Sequence, residues 1–593
     1  MFVRIGLVTD GGYPYANGES GPWCDRLVRG LHDHEFDVYA LSRSARQERS
    51  GLVDPPPQVR RVHTAPLWAP VDDKGAYGRR ERRRFAEHLG RLALAVCDER
   101  AGTDEGAGTD EGAGTDEGAG TDEGAGTFAS GLYGLAELAR EHGGLHAALR
   151  SETALRVLES ACRAPGARRS VRGAAVADLL AFAHELERAL RPLCLDWYDT
   201  EEGGLGSVDV CHATSAGPAA LPGLLAKRFF GVPLLVTEYG VRLRAHYLAT
   251  DAGREGPSRA PLRALLAAFH GSLAAEVYRA ASLVTPGNAH ARRWQERCGA
   301  DRAKLRTVHP GMEAERFIEV GEGDDTGDRD TLVWVGAIEP AKDLVTLLHA
   351  FAQIRKERPR TRMRIVGAPS TTGDGPAYLA HCRALAAQLF PDEAAGAYAV
   401  GENPVSFEEA GGPESPELAD AYAGAGIVVL SSAVEGFPVS LVEAMFCGRA
   451  TVSTDVGAVV EVIGGTGLVV PAHNPKALAD ACLGLLGDDG RRRRLGAAAH
   501  SRALELFTIR QNVAAFRAAY LEIVSHTPVQ RVAQAVGAGG APLPFAAAAE
   551  VHVPVRWAAR AEEALASVSA QAPASAREAV CAGAAAGAGG RDV

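Results

Sequence analysis

The sequence predicts an α/β protein built on parallel sheets, on three observations. Residues 427–454 read as a strand, a loop, a helix and a second strand. Residues 4–8 form an apolar strand that runs into a glycine-bearing loop and a helix. A chain of 593 residues leaves room for two large domains with cores of ordinary size. Within the first unit, the apolar run 427–430 is short enough for a buried parallel strand. Glu435-Gly436-Phe437 turns the chain and Pro438 suits a first helical position. Val439, Val442 and Phe446 then recur on one helical face, and Gly448 is placed to end the helix before a strand at 450–454. Polar residues gather in the loop leaving the first strand, where open α/β sheets bind ligands. Two carboxylates stand out there, Glu435 in the loop and Glu443 in the helix.

Composition narrows the function classes. With 46% hydrophobic and 23% charged residues the chain is of globular type. A net charge of -11, from 63 basic and 74 acidic residues, argues against a general nucleic-acid binder. The basic clusters at 79–84 and 491–494 read as solvated helix faces. The cysteines are scattered, with neither CxxC spacing nor matching histidines, so neither a zinc site nor a disulfide framework is predicted. Reduced, buried thiols in a cytoplasmic protein are the expectation. No basic-then-apolar leader precedes the first strand, and no apolar run approaches the roughly 20 residues that span a bilayer. Membrane association is therefore expected to be peripheral, at the inner face, or through a partner.

The remaining elements follow in order. Residues 9–23 are a loop carrying Gly11, Gly12, Gly18 and Gly21, and the next helix places Leu27, Val28 and Leu31 inward. Residues 101–127 repeat AGTDEG four times and end in a partial copy. Such units carry too little apolar surface to order themselves, which predicts a disordered insertion in a surface loop. Segments 132–162 and 174–193 are helix-rich. A strand at 208–212 ends on His212, where a structural hydrogen bond competes with a role near substrate. The strand at 233–236 leads into Tyr239, Arg242 and Arg244. The acidic, Gly-rich run 319–330 is the expected hinge, and a strand at 332–336 opens the second domain. Its helix should begin near Ala341, with Leu344, Leu347, Phe351 and Ile354 at helical spacing. Lys342 then stands at a helix N-terminus, where backbone N–H groups, the dipole and an ammonium suit a pyrophosphate. A strand at 363–367 and helices near 418–423, 475–486 and 491–507 complete the domain, and 512–525 could cross back. Past 527 the chain is rich in Ala, Gly and Pro, which predicts a disordered tail.

The pattern of Glu435, Gly436-Phe437-Pro438 and Glu443 within Leu441-Val442-Glu443-Ala444-Met445 resembles the nucleotide-sugar site of retaining glycosyltransferases of family 4, which have the GT-B fold. The 454–457 turn and the 467–471 segment continue the likeness. In the first half, Thr9-Asp10-Gly11, Tyr13-Pro14-Tyr15 and Trp23-Cys24-Asp25 look like the PelF-type members of that family. Asn288, Arg292, Trp294 and His309-Pro310-Gly311-Met312 are similar as well, so the resemblance runs from about residue 4 to 525.

The resemblance implies two Rossmann-like domains facing a cleft, with a helical insertion in the first. The acceptor domain would be 1–318, the nucleotide-sugar domain 331–510, the crossover helix 511–527 and the tail 528–593. It implies transfer of a hexose, with UDP-glucose favoured, to a glycan, polysaccharide or small-molecule acceptor, with retention and with neither cofactor nor metal. A polysaccharide-synthesis complex is the implied partner. Carried over by position, Glu435 and Lys342 are catalytic. Gly18, Gly336, Lys342, Glu435, Gly436, Phe437, Pro438 and Glu443 hold the donor, Glu443 by the ribose. His212, Tyr239, Arg242 and Arg244 fall on the acceptor or sugar side. Departures occur at Gly18-Glu19-Ser20, where the group has two glycines and an apolar residue, and at Tyr239, where it has His. Ala245 stands where it has Glu, and Ala337 where it has Arg five residues before Lys342. These positions surround the sugar and phosphates. The alternative reading is therefore a catalytically weakened sugar-nucleotide-binding paralogue that acts as a regulatory or assembly partner. In an active enzyme, Arg242 or Arg244 would supply charge from a new direction.

Overall fold

Two six-stranded parallel sheets organise the chain. The first contains β1 (Arg4–Asp10), β2 (Glu35–Ser42), β3 (Val59–Pro66), β4 (Val210–Ala213), β5 (Leu234–Glu238) and β6 (Leu283–Pro286). Its order is β3-β2-β1-β4-β5-β6. The second contains β7 (Asp328–Val335), β8 (Arg362–Val366), β9 (Val405–Glu408), β10 (Ala425–Leu430), β11 (Ala450–Thr454) and β12 (Leu468–Val470), in the order β12-β11-β10-β7-β8-β9. Numbered within its own domain, the second sheet repeats the order of the first, so this is a pair of Rossmann-type units. The computed structural model describes residues 2–15, 21–69, 76–99, 118–251, 260–322, 327–370, 374–391, 403–409 and 417–529. Gly18, residues 101–117 of the repeat, and the expected tail beyond 529 lie outside the described residues.

Strand burial follows from packing on both faces. All six residues of β10 are buried, as a continuous apolar run in a parallel sheet requires. Ile427 and Val429 enter one core with Trp334, Leu347 and Phe351, while Val428 enters the other with Val442 and Phe446. This is the period of two expected of a pleated strand. Each such side chain contributes roughly 1.5–3 kcal/mol on burial. Val442 and Phe446 face inward on the helix Val439–Phe446 as predicted, but Val439 is half exposed at its first turn. Nine cysteines are described, all free thiols, and eight are buried, where they pack as small apolar side chains. Among the described residues, no helix is long and apolar enough to cross a membrane.

Two boundaries and one side chain differ from the sequence expectation. Residues 118–127, the end of the repeat, belong to the helix Gly118–His142. Phe128, Leu132 and Leu135 bury that helix beside Arg79–Cys97, and an added Cβ at Gly131 would lie 2.6 Å from the Leu92 nitrogen. Once this apolar stretch has nucleated the helix, each preceding residue adds a hydrogen bond without a new nucleation cost, which offsets the poor helix propensity of the glycines. The acidic run expected as a hinge begins inside the helix Glu315–Glu322, whose Phe317 packs edge-on against Tyr422 in the second domain. Arg492, expected on a solvated face, is buried and donates to the Gly426 carbonyl at 3.2 Å.

The chain crosses between domains at two adjacent places. Met312 N–H donates to the Phe507 carbonyl at 2.8 Å, and Ile509 N–H donates to the Met312 carbonyl at 3.2 Å. Gly311 permits this approach, since a Cβ there would lie 2.9 Å from the Ile509 Cα. The helix Ile509–His526 then returns to the first domain and buries Phe516 and Tyr520 in its core with Trp23 and Leu27.

Candidate functional site

The second sheet reverses its winding between β7 and β10, and the loops leaving these neighbouring strands are tied together at their carboxyl ends. Ala433 and Val434 N–H groups donate to the Ala341 carbonyl at 2.9 and 3.2 Å, and the Ser431 hydroxyl donates to the Lys342 carbonyl at 2.8 Å. This lacing brings the Lys342 ammonium to 2.6 Å from Glu435 Oε2, with both side chains largely buried. The Ser432 hydroxyl donates to the same oxygen at 3.1 Å, and Gly436 N–H donates to Oε1 at 3.2 Å. The carboxylate is therefore fixed while Gly436 fronts open space. Gly457, at φ +59, lies behind the loop. A Cβ there would fall 2.3 Å from the Glu435 carbonyl oxygen, so only glycine fits.

Glu443 projects from the second turn of the helix Val439–Phe446 and accepts the Tyr422 hydroxyl at 2.7 Å. Burial holds its carboxyl above the ordinary carboxylate range, partly offset by the Tyr422 hydrogen bond. Pro438 occupies the N-cap rather than the first helical position, and this terminus carries no side-chain cap. Its positive dipole end is thus left to face whatever occupies the Gly436-Phe437-Pro438 loop.

The helix that follows Lys342 behaves differently from the sequence expectation. It begins at Leu344, after a tight 3-10 turn over Pro340–Lys342. Leu344 N–H donates to the Tyr378 hydroxyl at 2.9 Å, and Thr346 N–H donates to Asp343 Oδ1 at 3.1 Å. Asp343 holds φ 46 and accepts His473 Nδ1–H at 2.8 Å; His473 also has a positive φ, of 55. With its amides capped and a carboxylate in place, this terminus is not the open pyrophosphate cradle that the sequence suggested. Lys342 reaches the site by its ammonium alone. Gly336 follows β7 directly, against the Trp334 ring, with Ala337 exposed beside it.

The first sheet presents its own reversal point between β1 and β4. Asp10, buried at the end of β1, accepts Arg43 Nε–H at 2.9 Å and Arg242 Nη1–H at 3.3 Å. Glu238, at the end of β5, accepts the Ala216 and Arg242 N–H groups at 3.4 and 3.2 Å and also the Tyr278 hydroxyl. Burial raises its pKa. Arg242 and Arg244 are two residues apart on the helix Arg242–Asp251, so they point to nearly opposite sides. Arg242 turns to Asp10, whereas Arg244 crosses to the second domain and donates to the Glu435 carbonyl at 3.0 Å. A second crossing contact joins Ala289 N–H to Glu461 Oε2 at 2.5 Å.

Two residues expected on the sugar side are engaged elsewhere. His212 is fully buried, with Nδ1 2.6 Å from the Tyr520 hydroxyl and Nε2 2.7 Å from Thr237 Oγ1. Burial pushes its pKa down to about 3, so it is a neutral structural group that ties the returning helix to the first sheet. Tyr239 packs edge-on against Trp23 and accepts Asn512 Nδ2–H at 3.2 Å, which places it in the same seam. Arg43 and Glu461 were not singled out by the sequence and carried no signal there. Asp10 appeared only within the Thr9-Asp10-Gly11 motif, in a loop, and the structure places it at the end of β1.

Residues 3–303 match the family described as a domain of unknown function (DUF3492), and residues 329–488 match glycosyl transferases group 1. A D-inositol 3-phosphate glycosyltransferase from Streptomyces bingchenggensis is 33% identical over 214 residues, 34% of this chain and 44% of that protein. One of the same name from Nocardioides sp. is 31% identical over 368 residues, 58% of this chain and 73% of that protein. The chain thus spans less than half the length of the first relative and nearly three quarters of the second. Among solved structures, sucrose-phosphate synthase from Thermosynechococcus elongatus shares the fold, with a TM-score of 0.50 at 15% identity over 88% of this chain and 100% of that one. The chain belongs to the glycosyl transferases of group 1, on a GT-B-type fold with a DUF3492 region as its first half.

Proposed function

We propose that this protein is a retaining family 4 hexosyltransferase of PelF-like type, moving glucose from UDP-glucose to an acceptor hydroxyl. The observation that carries the reading is the Lys342–Glu435 pair at the β7/β10 reversal point, with Glu443 on the adjoining helix. Glu435 offers fixed carboxylate oxygens to the sugar hydroxyls, and Glu443 accepts from the ribose. The uncapped terminus at Pro438 and the Lys342 ammonium take charge from the departing diphosphate, the part a divalent cation plays elsewhere. Neither metal nor cofactor is assigned. In the step, the bond from the anomeric carbon to the diphosphate oxygen breaks while the acceptor oxygen attacks on the same face. A donor phosphate oxygen takes the acceptor proton, so no protein base is assigned.

We place the acceptor beside the first sheet; the cluster in which Asp10 holds Arg43 and Arg242 supports this. A glycan or polysaccharide fits the PelF likeness, and a phosphorylated polyol fits the relatives' names. We place the protein in the cytoplasm, peripheral to the inner membrane face in a polysaccharide-synthesis complex.

Diphosphate release from a panel of UDP-, GDP- and ADP-sugars tests the reading, with intact protein and Glu435→Ala side by side. Release from UDP-glucose should fall on the order of 10²–10³-fold in the variant. Equal release by both proteins would remove Glu435 from the chemistry. UDP binding without release from any donor, acceptors included, would favour the binding-only paralogue.

A further inference from the structure

We infer that Arg244, reaching over from the first domain, is the second cation on the donor diphosphate and stabilises its departure. This rests on the transferase reading above. The charge balance at the switch point motivates it. Lys342 is the ammonium at the β7/β10 loops, and Glu435 lies against it at 2.6 Å, so the pair carries little net charge. A departing nucleoside diphosphate gathers two to three negative charges, which a neutralised ammonium meets only in part.

Arg244 is placed to make up the difference. Its Nη2–H donates to the main-chain carbonyl of Glu435 at 3.0 Å, so the guanidinium already stands at the loop where the sugar and phosphates are read. Among the described residues this is its one hydrogen bond, and a carbonyl supplies no compensating charge. A guanidinium has five N–H donors in a planar fork suited to two phosphate oxygens at once. Arg244 also sits in the first turn of the helix Arg242–Asp251, where the helix dipole opposes a cation unless an anion is present. Burial lowers its pKa, and the Glu435 charge, which it shares with Lys342, offsets this only in part. Arg242, two residues before, is already paired with Asp10 and cannot serve both domains.

A functional consequence follows from the origin of Arg244. The second cation is in place only while the two domains are in contact, as they are where Arg244 meets the Glu435 carbonyl. Bond cleavage is then coupled to closure, which excludes water and limits hydrolysis of the donor.

The test compares intact protein, Arg244→Lys and Arg244→Gln, each checked for native circular dichroism. Gln keeps an N–H donor for the Glu435 carbonyl and discards the charge; Lys keeps the charge and loses the fork. Diphosphate release from UDP-glucose should rank intact protein, then Lys, then Gln, with Gln lower by on the order of 10²-fold or more. Independently of turnover, calorimetry should show UDP binding roughly tenfold or more weaker in Gln, with uridine binding unchanged. If Gln matches the intact protein in both UDP affinity and release, Arg244 is only an interdomain latch and the inference is overturned. It is overturned equally if Lys is no better than Gln. An intact protein that releases nothing while Gln still loses UDP affinity would sink the transferase reading and leave Arg244 as a diphosphate ligand.

Discussion

His212 shows how one side chain can carry a functional signal in sequence and a structural role in the fold. A consistent hydrogen-bond chain runs from the Tyr520 hydroxyl to Nδ1 and from Nε2–H to Thr237 Oγ1, with the Thr237 hydroxyl 2.6 Å from Thr285 Oγ1. No charge can enter that chain cheaply, which is why the pKa falls to about 3. The unfolded residue titrates near 6.5. Between about 6.5 and 3 the unfolded chain therefore binds a proton that the folded chain does not, and stability falls as pH falls across that window. Urea midpoints at neutral and mildly acid pH should show a larger acid loss for the intact protein than for His212→Asn. At neutral pH the variant should be less stable by about 1–3 kcal/mol. An equal acid loss in both proteins would assign the effect to the other buried histidines. The partner that decides the matter, Tyr520, is 308 residues away in sequence, so nothing local to His212 could separate the two roles. Glu435 and Glu443 could be singled out together because both lie in one short strand-loop-helix unit, whereas their partners Lys342 and Tyr422 lie 93 and 21 residues away.

At the scale of elements, the strand, loop and helix of residues 425–446 were legible because each signal was local: an apolar run, a turn and an amphipathic helix. The entry to the helix Leu344–Glu357 was not, because Asp343 adopts φ 46 and caps a helix that apolar spacing alone would start earlier. Its capping partner Tyr378 and its contact His473 come from distant segments. The end of the repeat, residues 118–127, differed for a similar reason, since composition reports what a segment does alone and not what an adjoining buried helix imposes on it. Gly457 gives the element-scale test. Gly457→Ala must accommodate both a φ of +59 and a Cβ 2.3 Å from the Glu435 carbonyl oxygen. The backbone conformation alone costs about 1–2 kcal/mol, and the clash adds to it by displacing the loop. Thermal unfolding should move down by a few degrees while diphosphate release falls much more steeply. Unchanged release in a folded variant would show that the position of the Glu435 loop is not critical.

The whole molecule is a pair of sheets wound alike, each with its reversal point toward the other domain, joined where the chain crosses at Met312 and Ile509. This division was legible from length, from two sets of strand signals and from the resemblance. The crossing itself was not, because it depends on Gly311 and Asn512 meeting across 201 residues of sequence rather than on an acidic linker. In the proposed reading the second domain holds the donor and the first contributes Arg244, which meets the Glu435 carbonyl, while Asp10 with Arg43 and Arg242 stands on the acceptor side. The structure of the intact protein crystallised with UDP-glucose tests this arrangement most directly. The expected complex has the ribose hydroxyls on Glu443, the sugar on Glu435, and the diphosphate between Lys342, the Pro438 helix terminus and Arg244. A nucleotide bound at the first sheet, or at the second with its ribose away from Glu443, would contradict the account.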